Sequence, residues 1–223
     1  MTPFDRYLEE LLQPSMQGFL PLEQRARQSA DSFGLGGISL SRAEASVLRW
    51  SMGIGDVYKA VEIGTLTGLS GLYLLDGLRP GGVLWTLEKN PLHAAKAKEV
   101  LFPWAESQNK KVQIVTGDAK DTLEEIKIHG PFDFIFIDGN KAAYGDYLEW
   151  SESNLKVGGI LAADNVFLGG EVALDEGQRF SKKQIQVMRK FNDRLMNSSL
   201  WKSVILPTSE GFLISQKVKN NDE

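Results

Sequence analysis

Two polar runs, Asp138-Gly139-Asn140-Lys141 and Asp164-Asn165, each follow an apolar stretch, Phe132-Asp133-Phe134-Ile135-Phe136-Ile137 and Gly159-Ile160-Leu161-Ala162-Ala163. Two carboxylates and an amide oxygen are a hard, oxygen-only donor set of the kind that holds Mg²⁺ while leaving positions for water or substrate. A divalent cation at Asp138, Asp164 and Asn165 is one reading; the other is that each aspartate caps the helix or loop after it. Upstream, Val61-Glu62-Ile63-Gly64-Thr65-Leu66-Thr67-Gly68-Leu69-Ser70 reads as a buried strand that breaks into a glycine turn and opens a helix. Gly64 and Gly68 would let backbone approach a ligand closely, and the helix N-terminus offers free N–H groups to an anion. The spacing is Gly-x-x-x-Gly, and Leu66 stands where a dinucleotide fingerprint has its second glycine, which disfavours a pyrophosphate. A further apolar run ends in Glu88, 24 residues beyond Gly64, where doubly wound folds place a carboxylate for two ribose hydroxyls. The alternative is an exposed glutamate at a strand end. Together these residues point to a nucleotide-like cofactor.

The elements that must position these groups can be read from periodicity. A helical segment runs to about Met52, including a capping box of Ser41 and Glu44, and strand and helix then alternate to the end. Strands are expected near 58–63, 83–88, 111–115, 132–137 and 159–163, with helices near 68–78, 91–102, 119–128, 141–154 and 181–197. Asn90-Pro91 caps and starts the second of these helices. Short apolar runs separated by helices mean a parallel sheet covered on both faces. Runs at 202–206 and 212–218 flank Pro207-Thr208-Ser209-Glu210-Gly211 and predict a closing antiparallel hairpin. The expected fold is therefore α/β, a doubly wound Rossmann-like sheet of seven strands with helices on both faces. In such a sheet ligands bind outside the carboxyl ends of the strands, which is where the polar runs fall. One domain is expected over 1–223, made of a helical segment 1–52, a core 53–218 and a polar, disordered tail 219–223.

Composition narrows the chemistry. A net charge of −4 argues against a broad phosphate-binding surface, and hence against nucleic acid as a partner. With no cysteine there are no disulfides, no thiolate nucleophile and no cysteine-ligated zinc. The first ten residues lack a basic start followed by an apolar core, and no apolar run approaches membrane-spanning length, so a cytoplasmic location without membrane partners is expected. The two histidines, His93 and His129, fall in the second crossover helix and on the amino side of the fourth strand, away from the expected ligand side. A Gly-x-Ser-x-Gly nucleophile motif is absent.

The run Glu62 to Ser70, then Gly117-Asp118-Ala119, Asp138-Gly139-Asn140-Lys141 and Asp164-Asn165, in this order and at these intervals, resembles the cation-dependent class I S-adenosylmethionine-dependent O-methyltransferases of the catechol and caffeoyl-CoA type. The resemblance spans residues 36 to 218 and includes Arg189-Lys190-Phe191-Asn192 and the turn from Pro207 to Gly211. It implies that Gly64 and Gly68 lie under the methionine part of S-adenosylmethionine, with Ser70 near its carboxylate and Glu62 supporting the loop. It further implies that Glu88 binds the ribose, that Asp118 and Ala119 border the adenine, and that Asp138 serves both cofactor and metal. Asp138, Asp164 and Asn165 would hold the cation, Mg²⁺ by donor type, and Lys141 would be the general base. A homodimer is implied too, with Tyr7, Leu11, Leu12, Phe19 and Leu22 as apolar material, packing on the chain's own core being the alternative.

The chemistry is consistent with those roles. An acceptor phenol, with an ordinary pKa of about 10, is mostly protonated at neutral pH. A cation gripping two adjacent oxygens favours their ionised form, and Lys141 beside that cation would have its pKa lowered by like-charge repulsion. The bland alternative for Lys141 is a solvated lysine at a helix start. The chain departs from the family's usual Asp-Ala-Asp-Lys at Gly139 and Asn140, and has Ala143 before Tyr144 and Ser46 for a frequent glutamine. The expected activity is methyl transfer to a hydroxyl of a small catechol-like acceptor. A nicotinamide-dinucleotide oxidoreductase and a catalytically silent S-adenosylmethionine-binding protein of the same fold are the other two readings. The acceptor's surroundings would include Phe167-Leu168-Gly169-Gly170 and 171–180, where Phe167 either stacks on a planar ring or packs internally.

Overall fold

The computed structural model describes residues 3–12 and 18–220; residues 221–223 of the expected polar tail lie outside the described residues. Three helices open the chain, α1 (Pro3–Leu12), α2 (Leu20–Ser32) and α3 (Arg42–Ile54). Alternating elements follow: β1 (Lys59–Ile63), α4 (Leu69–Gly77), β2 (Val83–Glu88), α5 (Pro91–Ser107), β3 (Lys111–Thr116), α6 (Ala119–Ile126), β4 (Phe132–Ile137), α7 (Tyr144–Asn154) and β5 (Leu155–Ala163). The chain ends with α8 (Lys182–Asn197), β6 (Trp201–Leu206) and β7 (Phe212–Lys217). The seven strands are ordered β3-β2-β1-β4-β5-β7-β6, with β7 antiparallel to both β5 and β6. This is the expected doubly wound sheet with its terminal hairpin.

Among the described residues the chain divides into two compact units, the residues up to Tyr58 with Thr65–Gly117, and Lys59–Gly64 with the residues from Asp118 on. In the first, α5 packs on β2 and β3, and Phe19 lies edge-on to Tyr73 and Trp104 at 5.1 and 5.4 Å. Phe19 therefore belongs to the chain's own core, whereas Tyr7 and Leu11 are exposed on α1, as are Trp50 and Ile54 on α3. In the second unit, β4 is the most apolar strand, with Phe132, Phe134, Ile135, Phe136 and Ile137 all buried, as a strand covered on both faces requires.

Local signals account for most boundaries. Ser41 and Glu44 form the expected capping box on α3, and Asn90 caps α5 with Pro91 in its first turn. A second capping box, Ser181 with Gln184, starts α8. Three boundaries differ from expectation, the first being that α5 runs on to Ser107 rather than ending near 102, with Pro103 inside the helix. β5 begins at Leu155 rather than 159, because Leu155 pairs with Phe132 across a register shift between Phe132 and Phe134. The helix expected over 141–154 starts as a 3₁₀ turn at Lys141–Ala143, since the Asn140 side chain accepts the Ala142 N–H at 3.1 Å and tightens the entry. None of the helices among the described residues is long and apolar enough to cross a membrane.

Candidate active site

The expected site residues fall into two groups, one in each unit. In the first unit, the turn Thr65–Gly68 is closed by the Gly68 N–H to the Thr65 carbonyl at 2.9 Å, with Leu66 at φ 49° and Gly68 at φ 90° capping α4. The Thr67 hydroxyl donates to the Ala26 carbonyl at 2.8 Å, tying the turn to α2, and the Thr65 and Thr86 hydroxyls share a hydrogen bond. A β-carbon on Gly68 would stand 3.3 Å from the Ala97 Cα at a backbone φ of 90°, so glycine lets α4 start this close to α5 without displacement or strain. Ser70 is buried in the first turn of α4.

Glu88 is 9% exposed, so it is not a solvated strand-end acid. One carboxylate oxygen accepts the Leu66 N–H and the other the Asn90 N–H, each at 2.8 Å. His93, one turn into α5, approaches the same carboxylate at 3.6 Å and lies against the Phe33 ring at 4.8 Å. Sequence reasoning placed His93 away from the ligand side. It missed that the first turn of a helix starting at Pro91 folds back over the strand end that precedes it. Glu88→Ala is expected to weaken S-adenosylmethionine binding about ten- to a hundredfold, the effect of losing charge-assisted bonds to hydroxyls. Calorimetric titration reads this directly, and an unchanged affinity would reduce Glu88 to a clip for Leu66 and Asn90.

In the second unit, three strand ends lie side by side. Ile63 pairs with Ile137 and Ile137 with Ala163, and the next residues continue the ladder. The Asp138 N–H reaches the Ile63 carbonyl at 2.9 Å and the Asp164 N–H the Ile137 carbonyl at 3.0 Å. Gly64, Asp138 and Asp164 are thereby aligned. Gly64 sits at φ 104°, and a β-carbon there would stand 2.3 Å from the Asp138 carbonyl oxygen. Glu62 is fully buried in β1, and Asp164 is 3% exposed.

Lys141 connects these ends. Its ammonium donates to Asp138 Oδ1 at 2.8 Å and to the Tyr144 hydroxyl at 2.8 Å. The Tyr144 hydroxyl in turn donates to the Asp164 carbonyl at 2.9 Å. Lys141 is thus not a solvated helix-start lysine. Burial acts most strongly on it and lowers its pKa, but the Asp138 carboxylate and Tyr144 together outweigh burial and raise it above the ordinary lysine value. The protein's own groups therefore act opposite to the lowering expected from a neighbouring cation. Burial likewise raises the Tyr144 hydroxyl well above the ordinary phenol range, so it stays protonated and available as a donor.

Asp138 caps nothing, because Asn140 takes the capping role. Asn140, where the family has aspartate, caps this turn through its amide oxygen, a role asparagine fills as well as aspartate. Asp118 caps α6 through the Lys120 N–H at 3.1 Å, and Ala119 is the first residue of that helix. Asn165 is held at φ 58°, a left-handed conformation that asparagine tolerates better than most residues. Phe167 packs on the hairpin turn, its ring 2.6 Å from where a β-carbon of Gly211 would be. No cluster of three or more His, Asp or Glu side chains arranged for a metal occurs among the described residues. The candidate set is two aspartates and an asparagine, and its donor chemistry fits a hard divalent cation.

Comparison with known proteins identifies the family. A family model described as O-methyltransferase matches residues 15–218. A catechol O-methyltransferase of Niastella koreensis is 33% identical over 193 residues, covering 86% of this chain and 83% of that protein. The O-methyltransferase TomG of Streptomyces achromogenes, solved in complex with SAM, superposes with a TM-score of 0.81 at 25% identity, over 89% of this chain and 90% of its own. An O-methyltransferase of Bacillus cereus, solved in complex with SAH, gives a TM-score of 0.80 at 27% identity, over 93% and 97%. The chain belongs to the class I, S-adenosylmethionine-dependent O-methyltransferase family.

Proposed function

We propose that this chain, acting as one catalytic domain, transfers a methyl group from S-adenosylmethionine to a hydroxyl of a small catechol-like acceptor. The observation that carries this reading is the network Asp138–Lys141–Tyr144–Asp164, which joins the two acidic strand ends through one half-buried lysine. Asp138, Asp164 and Asn165 would hold a divalent cation, Mg²⁺ by donor type. A cation so bound supplies Lewis-acid polarisation of two adjacent acceptor oxygens.

Lys141 serves as the proton acceptor. While its ammonium is bonded to Asp138 it holds its proton, and with Asp138 engaged elsewhere burial favours the neutral amine. Tyr144 keeps Nζ in place through that change, because its hydroxyl is itself anchored on the Asp164 carbonyl. Gly64 and Gly68 shape the turns on the cofactor side, Glu62 supports the loop, Ser70 meets the cofactor carboxylate, Glu88 receives the ribose hydroxyls, and Asp118, Ala119 and Asp138 border the rest of the cofactor. The catechol assignment draws on the named activity of the Niastella koreensis relative. The oxidoreductase reading is disfavoured locally as well, since Leu66 occupies the second-glycine position with its N–H committed to Glu88.

The test is methyl transfer from S-adenosylmethionine to catechol, assayed with Mg²⁺ and with chelator, for wild type and Lys141→Met. Turnover that vanishes with chelator and falls roughly 10²–10⁴-fold in Lys141→Met is expected, the range for loss of a general base. Chelator-insensitive turnover would remove the cation. Cofactor binding without turnover on any diol would favour the silent reading.

A further inference from the structure

Arg189 and Asn192 have no part in the chemistry above, yet both point from one face of α8 at the segment after β5. The Asn192 amide donates to the Val166 carbonyl at 2.8 Å. The Arg189 guanidinium donates to two carbonyls, Val172 and Leu174, each at 2.7 Å. That segment cannot hold its own shape cheaply. Asn165 at φ 58° and Leu168 at φ 52° are both left-handed, a conformation that asparagine tolerates but leucine rarely adopts. Such residues persist only where their surroundings over-determine them.

The helix that grips the segment is itself firmly seated. Ile185, Met188, Phe191 and Leu195 are buried along its inner face, and Phe191 meets the Tyr144 ring edge-on at 5.1 Å. One helix thus touches both the Lys141 network and the segment after β5. Phe191 backs Tyr144 and through it Lys141, while Asn192 holds the residue immediately after Asn165.

We infer that Arg189 and Asn192 are positioning residues. Asn192 sets the geometry of Asp164 and Asn165 as oxygen ligands, and Arg189 sets the acceptor-side stretch through Val172 and Leu174. This rests on the cation reading proposed above. The residues touch neither cofactor nor reacting atoms; they act through backbone carbonyls, much as hydrogen-bonding partners behind metal ligands tune affinity without binding the ion.

The experiment titrates Mn²⁺ alone into wild type, Asn192→Asp and Arg189→Lys by electron paramagnetic resonance, with S-adenosylmethionine titration as the folding control. Catechol KM and kcat are measured in the same preparations. Asn192→Asp is isosteric but sets an acceptor against the Val166 carbonyl, and is expected to weaken Mn²⁺ binding about tenfold or more while cofactor affinity stays within about twofold. Arg189→Lys keeps the charge but loses the two-pronged donor, and is expected to raise catechol KM several-fold with kcat and Mn²⁺ affinity unchanged. If Asn192→Asp fails to bind cofactor, Asn192→Ala takes its place with the same expectation. Variants that match wild type in Mn²⁺ affinity and catechol KM would overturn the assignment alone. A wild-type protein that binds no Mn²⁺ would overturn the cation reading and this assignment with it.

Discussion

Asp164→Ala is expected to abolish cation-dependent methyl transfer, lowering kcat roughly 10³-fold or more, while the protein still binds S-adenosylmethionine. The size follows from what a metal-held acceptor contributes, several kcal/mol of charge stabilisation at about 1.4 kcal/mol per tenfold in rate. The structure argues that the loss would be chemical. Two bonds that fix the position of residue 164 are made by its backbone: its N–H to the Ile137 carbonyl at 3.0 Å and its carbonyl from the Tyr144 hydroxyl at 2.9 Å. Both survive truncation of the side chain. Steady-state rates over a range of Mg²⁺ concentrations, with cofactor titration on the same sample, provide the measurement. Undiminished turnover in Asp164→Ala would show that this carboxylate is not a metal ligand.

The second large effect is structural. In Gly64→Ala, the new methyl group would stand 2.3 Å from the Asp138 carbonyl oxygen and 2.9 Å from its carbon, at a backbone φ of 104°. Backbone cannot swing aside as a flexible side chain can, and the Asp138 N–H is bonded to the Ile63 carbonyl, so relief would break the ladder between β1 and β4. Conformational strain and overpacking each contribute about 1–3 kcal/mol, so destabilisation of about 2–6 kcal/mol is expected, together with loss of cofactor binding. Gly81→Ala is the control. Gly81 has a similar φ, 82°, but a β-carbon there meets nothing within 4 Å, so it should cost only the strain. Chemical denaturation of the two variants separates collision from conformation. Equal losses would mean that the close approach at Gly64 is not what makes glycine necessary there.

Much of this architecture was legible in the residues because local rules and tertiary demands agree. Phe132 to Ile137 is too apolar to be anything but a strand buried on both faces, and Ser41 with Glu44 and Asn90 with Pro91 mark helix starts whatever surrounds them. The candidate site was legible for a related reason. In a parallel sheet the residue after each strand faces the ligand side, so Gly64, Asp138 and Asp164 could be grouped without coordinates. What escaped notice has a common physical origin. His93 against Glu88, Asn192 on Val166 and Arg189 on Val172 and Leu174 are contacts between elements whose mutual orientation no local pattern encodes. The extension of β5 back to Leu155 likewise depends on a neighbour, since Leu155 is strand only because Phe132 lies beside it.

The charge state of Lys141 marks the division most clearly. From sequence, a lysine three residues after an aspartate can be a base, an ion-pair partner or a solvated side chain. Contacts to Asp138 and Tyr144 outweigh its partial burial and make it an ion pair held above the ordinary lysine pKa. By itself the sequence determined the fold class and the set of polar residues at the strand ends, which follow from periodicity and chain order, and the family, which follows from the resemblance of its motifs to known proteins. Only the tertiary structure decided which side chains meet and what they do to one another's protons, because desolvation and Coulomb interaction depend on distance and burial rather than on position along the chain.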